Sequence, residues 1–133
     1  MNNDYCICYE VIFPQLSSEM VANNSELIVN ITNDAWFGNT GAPYQHFSMA
    51  VFRAVENRRS LVRAANTGIS GFIDPAGRIA ETSALFKEDA LVRSVPVIRN
   101  YTSFYTRHGD LLVLMSFIAT MIIAMIRLKK GKR

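Results

Sequence analysis

The sequence predicts a mixed α/β or α+β domain tethered at its end by a membrane helix, and three observations lead there. Short apolar runs rich in β-branched residues, such as Leu27-Ile28-Val29-Asn30-Ile31-Thr32, read as strands. One segment, residues 44–58, repeats Phe47, Ala50, Val51, Ala54 and Val55 at helical spacing with Arg and Glu between them. A run at 111–126 holds no charge and is followed at once by Arg127, Lys129, Lys130, Lys132 and Arg133. Strands mixed with one or two helices fit a layered α/β domain, and the chain of 133 residues is long enough for one core.

In chain order, Tyr5-Cys6-Ile7-Cys8-Tyr9 reads as a buried strand that begins almost at the amino terminus with nothing to cover its outer edge. Residues 15–24 are polar and read as helix or loop, and 27–32 is the clearest strand. Asn33 to Pro43 reads as loop, punctuated by Gly38, Gly41 and Pro43. After the helix come a strand at 61–65 and a hairpin over 69–80, turned by Asp74-Pro75-Ala76-Gly77. Leu91 to Val97 is a further strand candidate.

The 111–126 run spans roughly 24 Å as a helix against a hydrocarbon core of about 30 Å. Gly109 and Leu128 extend it on this reading, and Arg127 can snorkel. A buried core helix is the alternative. The dense basic cluster favours a membrane span over 109–128, with the tail 129–133 on the cytoplasmic side and residues 1–108 on the outer face. The span stands at the wrong end of the chain for a secretory signal. The net charge of +3 sits largely in that tail, so nothing marks a nucleic-acid footprint.

Cys6 and Cys8 lie two apart on the expected strand, a poor spacing for a disulfide. With no second cysteine pair, and with His46 and His108 remote, no metal site is expected. The pair is then a buried thiol, a reactive thiol, or one of each. Cys8 ends the strand where it runs into Tyr9-Glu10, a place from which a thiol can be presented, whereas Cys6 reads as core. Glu56 reads as structural, paired with a nearby Arg; Asn66 as a turn residue; and His46 has no partner that the sequence names.

Ile7-Cys8-Tyr9-Glu10-Val11-Ile12-Phe13-Pro14 resembles the nucleophile segment of the nitrilase superfamily. Asn33-Asp34-Ala35-Trp36-Phe37-Gly38, Gln45-His46, Arg53-Ala54-Val55-Glu56, Arg63 to Ser70 and Tyr105 to Asp110 follow in the order of one branch, the apolipoprotein N-acyltransferases. The resemblance runs from about residue 5 to the end. It implies the carboxy-terminal half of a nitrilase-type α-β-β-α sandwich, followed by one transmembrane helix, on the outer face of a bacterial inner membrane. It makes Cys8 the nucleophile, Tyr9 and Glu10 its supports, and Trp36 and Phe37 lipid-contact residues near the mouth of the site. The reaction it implies takes an acyl chain from a phospholipid through a cysteine thioester to the amine of a lipoprotein's diacylglyceryl-cysteine, with no cofactor. The superfamily's base Glu and oxyanion Lys stand upstream of the cysteine, and no Lys here precedes Lys87. The expectation is therefore an incomplete piece, inactive alone, whose partners include the missing amino-terminal half. An amidase-like carbon–nitrogen hydrolase and a non-catalytic single-span membrane protein are the other readings.

Overall fold

A computed structural model describes residues 3–130. Five strands form one sheet in the order β1-β2-β3-β4-β5. They are β1 (Asn3–Ile7), β2 (Leu27–Asn33), β3 (Ser60–Asn66), β4 (Gly71–Ile73) and β5 (Ile79–Thr82). The first three are parallel, in a register that sets Cys6 beside Asn30 and Asn30 beside Arg63. The last two return antiparallel. Parallel neighbours need crossovers, and helices α1 (Pro14–Ala22) and α2 (Ala42–Asn57) supply them.

Both helices cover one face of the sheet. Val21 of α1 and Phe47, Ala50 and Ala54 of α2 close over Cys6, Ile28, Leu61 and Ile73 to make the core. Strand alternation sends Tyr5, Ile7 and Ile31 to the opposite face, where they are 56 %, 53 % and 47 % exposed. The described residues thus hold one α layer and one β layer. The strand expected at 5–9 ends at Ile7 and is buried on one side only.

Other expectations shift for local reasons. Residues 15–24 are helix over most of their length because Pro14, at a first-turn position of α1, pre-sets the backbone for helix. Pro43 does the same for α2, so the helix starts at Ala42 inside the stretch read as loop. The hairpin turn is where the sequence puts it: Asp74 Oδ1 accepts from the Ala76 and Arg78 amides, and Gly77 takes φ +81°. Its first strand is shorter than expected, starting at Gly71.

Leu91–Val97 is not a strand. Its backbone joins no ladder. Instead this coil is pinned across the strand ends, with Ser60 donating to the Pro96 carbonyl at 2.6 Å and Arg59 to the Tyr101 carbonyl at 2.7 Å.

The coil leads to α3 (Phe104–His108) and then α4 (Leu111–Lys130). Gly109 caps α3 at φ +54° rather than extending the apolar helix, which begins two residues later. The window Leu111–Lys129 is long and apolar enough to cross a membrane, and none of it is buried against the domain. Among the described residues nothing covers it, which fits a membrane span better than the core helix of a soluble domain. Of the basic tail, residues 131–133 lie outside the described residues.

Candidate active site

The carboxyl ends of the three parallel strands meet in one region, and each delivers a segment singled out in the sequence. Cys8 follows β1, Asp34 follows β2, and Thr67 follows β3. Crevices at the carboxyl ends of strands are where open α/β sheets place ligands.

Cys8 does not continue the strand. It opens a short 3-10 turn, Cys8–Ile12, with φ +50°, a left-handed conformation that costs an ordinary residue roughly 1–2 kcal/mol. The turn breaks the alternation that would have sent both thiols to one face. Cys6 stays fully buried, near Ser17 Oγ at 3.8 Å and Met20 Sδ at 3.6 Å, whereas Cys8 is half-buried. Burial pushes the Cys6 thiol above its ordinary range, as expected of an inert core cysteine.

Three contacts hold the turn. Glu10 reaches back so that its Oε2 accepts from the Ile7 amide at 2.7 Å, a charge-assisted bond. Asn30 Nδ2 donates to the Cys6 carbonyl at 2.9 Å and to the Cys8 carbonyl at 3.4 Å. Arg53 of α2 donates to the Ile12 carbonyl at 3.2 Å and pairs with Glu56 at 2.9 Å. Glu56 is thereby in the structural role read for it.

Beneath the turn lies a buried polar chain. Arg63 Nη1 donates to Asn30 Oδ1, Nη2 to Asp34 Oδ2 at 2.8 Å, and Nε to the Ile69 carbonyl at 3.2 Å. Asp34 Oδ1 accepts from Thr32 at 3.0 Å and lies 3.0 Å from His46 Nδ1, which is also 3.0 Å from Arg63 Nη2. All of these side chains are at least nine-tenths buried. Charges so far from water persist only when paired and hydrogen-bonded. Burial lowers the proton affinity of His46, the Arg63 charge lowers it further, and Asp34 partly offsets both. The ring is therefore neutral at pH 7. Its Nδ1 then either donates to Asp34 or accepts from Arg63, because a carboxylate only accepts and a guanidinium only donates.

The ring of His46 also joins the aromatic residues. It lies 5.6 Å from Tyr9 and 5.7 Å, edge-on, from Phe37. Those three side chains, with Ile12, Gln45 and Met49, line a small cavity of about 70 Å³, and His46 Nε2 has no hydrogen-bond partner among the described residues. Trp36, one residue before Phe37, is 86 % exposed.

The structure thus gathers Cys8, Tyr9, Glu10 and Phe37, and leaves Trp36 at the rim. Asn66 ends β3, where its Nδ2 donates to Asn33 Oδ1 at 3.3 Å. Asn30, Asp34 and Arg63 had no role assigned from sequence. A signal was present: an Asn and an Arg, each amid the apolar residues of a core strand, are costly unless they pair. Their pairing spans 29 and 33 residues, and no local pattern reveals it. Among the described residues no cluster of His, Cys, Asp or Glu could hold a metal.

Comparison with known proteins agrees with this geometry. Residues 5–101 match the family described as carbon-nitrogen hydrolase. The apolipoprotein N-acyltransferase of Geobacter metallireducens is 57 % identical over 104 residues, which are 78 % of this chain and 20 % of that protein. That of Thermotoga maritima is 39 % identical over 127 residues, 96 % of this chain and 25 % of that one. The chain therefore spans about a fifth to a quarter of the length of these relatives. Among solved structures, a carbon–nitrogen hydrolase from Helicobacter pylori superposes with a TM-score of 0.57 at 13 % identity, covering 65 % of this chain and 37 % of that one. Saccharomyces cerevisiae Nit3, of the nitrilase superfamily, gives 0.52 at 21 % identity, covering 65 % and 34 %. At such identities the likeness is one of fold.

Proposed function

The chain belongs to the carbon–nitrogen hydrolase family, and from that premise we propose that it carries the nucleophile of a phospholipid-dependent N-acyltransferase, with Cys8 as the attacking thiol. The observation that supports this most is Cys8 itself, a left-handed, half-buried cysteine at the end of a parallel strand in a chain that closes on an apolar helix. An amidase acting on soluble substrates has no use for that helix.

In the first half-reaction Cys8 Sγ attacks the carbonyl carbon of a phospholipid acyl ester. The carbon–oxygen bond breaks, the alcohol oxygen takes a proton, and a lysophospholipid leaves. In the second, the α-amine of a lipoprotein's diacylglyceryl-cysteine attacks the thioester. The carbon–sulfur bond breaks, an amide forms, and the thiol regains its proton. A thioester suits this purpose because it acylates an amine readily and divides one hard step into two easier ones.

Tyr9 and Glu10 support the turn, and Trp36 and Phe37 meet the acyl chains or the bilayer. The 133 residues supply neither the Glu base nor the oxyanion Lys that the superfamily uses, so these come from sequence outside them. One missing oxyanion donor alone costs about a hundredfold in rate or more, and these residues by themselves are inactive on this account. The open face of Tyr5, Ile7 and Ile31 is where the other half of the sandwich, contributed by that same sequence, packs. The domain lies on the periplasmic side of the bacterial inner membrane, and the basic tail after α4 stays in the cytoplasm.

The test joins this chain to the upstream four-fifths of a relative and measures lipoprotein acylation in membranes. Cys8→Ser abolishes transfer if the proposal holds. Acylation that survives the substitution overturns it.

A further inference from the structure

We propose that Asn30 is a positioning residue that holds Cys8 in its left-handed conformation, and that Arg63 and Asp34 stand behind it to fix which way its amide faces. The inference rests on the reading of Cys8 as the nucleophile and adds residues that the nucleophile motif does not contain.

An Asn side chain presents a donor at one end and an acceptor at the other, and a buried one is useful only if it cannot flip. Arg63 prevents the flip. Its Nη1 donates to Asn30 Oδ1, so the NH2 end must face β1. There it meets the Cys6 and Cys8 carbonyls, the two oxygens that bracket the Ile7–Cys8 segment where the chain turns from extended to left-handed. A flipped amide would set its oxygen against two carbonyls and its NH2 against a guanidinium.

Arg63 is itself not free to turn. Asp34 Oδ2 and the Ile69 carbonyl accept from its other nitrogens. Gly68 leaves the room that Asp34 occupies, because a Cβ there would fall 2.4 Å from Asp34 Oδ2. The register explains why these residues can act together: Cys6, Asn30 and Arg63 are lateral neighbours on three adjacent parallel strands, all on the covered face.

The test is alkylation of Cys8 by iodoacetamide in the full chain in detergent micelles, on a Cys6→Ala background, from pH 5 to 10. Asn30→Asp keeps shape and the Arg63 contact but turns the donor into an acceptor; Asn30→Ser removes both. Thr32→Val is the control, because it deletes a hydrogen bond of the same network that does not touch the turn. We expect both Asn30 variants to unfold cooperatively yet depart from the parent labelling rate by tenfold or more. Thr32→Val stays within twofold. Folded Asn30 variants that label within twofold of the parent overturn the proposal, and so does a Thr32→Val effect as large as theirs. If neither Asn30 variant folds, Arg63→Lys decides: it keeps the charge but loses the fork that orients the amide, and parent-like labelling then overturns the proposal. Failure of the nucleophile reading shows itself separately, as acyl transfer that survives Cys8→Ser.

Discussion

Gly68→Ala is a one-carbon change with a large expected effect. The added Cβ would lie 2.4 Å from Asp34 Oδ2 and 2.8 Å from Asp34 Cβ and Cγ, a full ångström inside ordinary contact. Asp34 has nowhere to retreat. Oδ1 is engaged by Thr32 and His46, Oδ2 by Arg63, and its amide donates to the Asn66 carbonyl at 3.1 Å. Forcing a methyl into a packed core costs about 1–3 kcal/mol, and breaking a buried ion pair about 3–5 kcal/mol. A partial displacement of Asp34 falls between, at about 3 kcal/mol. Cys6 is a built-in reporter, because its fully buried thiol reacts only when the domain opens. At 1.4 kcal/mol per tenfold, the variant should label Cys6 about 100-fold faster than the parent in mild denaturant. Equal Cys6 labelling and an unchanged unfolding midpoint would refute the tight seat described for Asp34.

Three further outcomes follow from particular groups. The folded His46 ring holds its proton less well than the unfolded one, so the unfolded chain protonates first as pH falls below about 6.5. Stability is thus undiminished above that pH and declines below it, by at most about 1.4 kcal/mol per pH unit, and His46→Gln should flatten the decline in pH-dependent melts. Cys8→Gly removes a left-handed cost of roughly 1–2 kcal/mol and adds about 0.5–1 kcal/mol of backbone entropy; the unfolding midpoint should hold or rise while acyl transfer is lost. Ile122→Arg, near the middle of α4, should cost about 2.5–3.5 kcal/mol of membrane insertion and move the chain toward the carbonate-soluble fraction of membranes.

Strand β2 was legible almost to its ends, because its β-branched run is bounded by polar turn residues. The hairpin turn was legible because Asp74 and Gly77 have few other uses in that order. The segment 91–97 was misread because its alternation of Leu91, Val95 and Val97 promises a strand, and only the sheet can say whether an edge is free to receive it. β3 has β2 and β4 on its two sides, so the coil crosses its end instead. At the site, Cys8 and Glu10 were legible because four consecutive residues make the turn and its brace. Arg63 and Asp34 were not, because their meaning lies in one another across 29 residues and through the space that Gly68 leaves.

The central claim is a covalent one, and mass spectrometry tests it most directly. The chain is supplied with its upstream segment and with phospholipid vesicles, and no acceptor is added. The account predicts an acyl adduct on Cys8, none on Cys6, released by hydroxylamine and discharged when a diacylglyceryl-cysteine peptide is supplied. Acyl transfer to that peptide with no thioester ever found on Cys8 would contradict it.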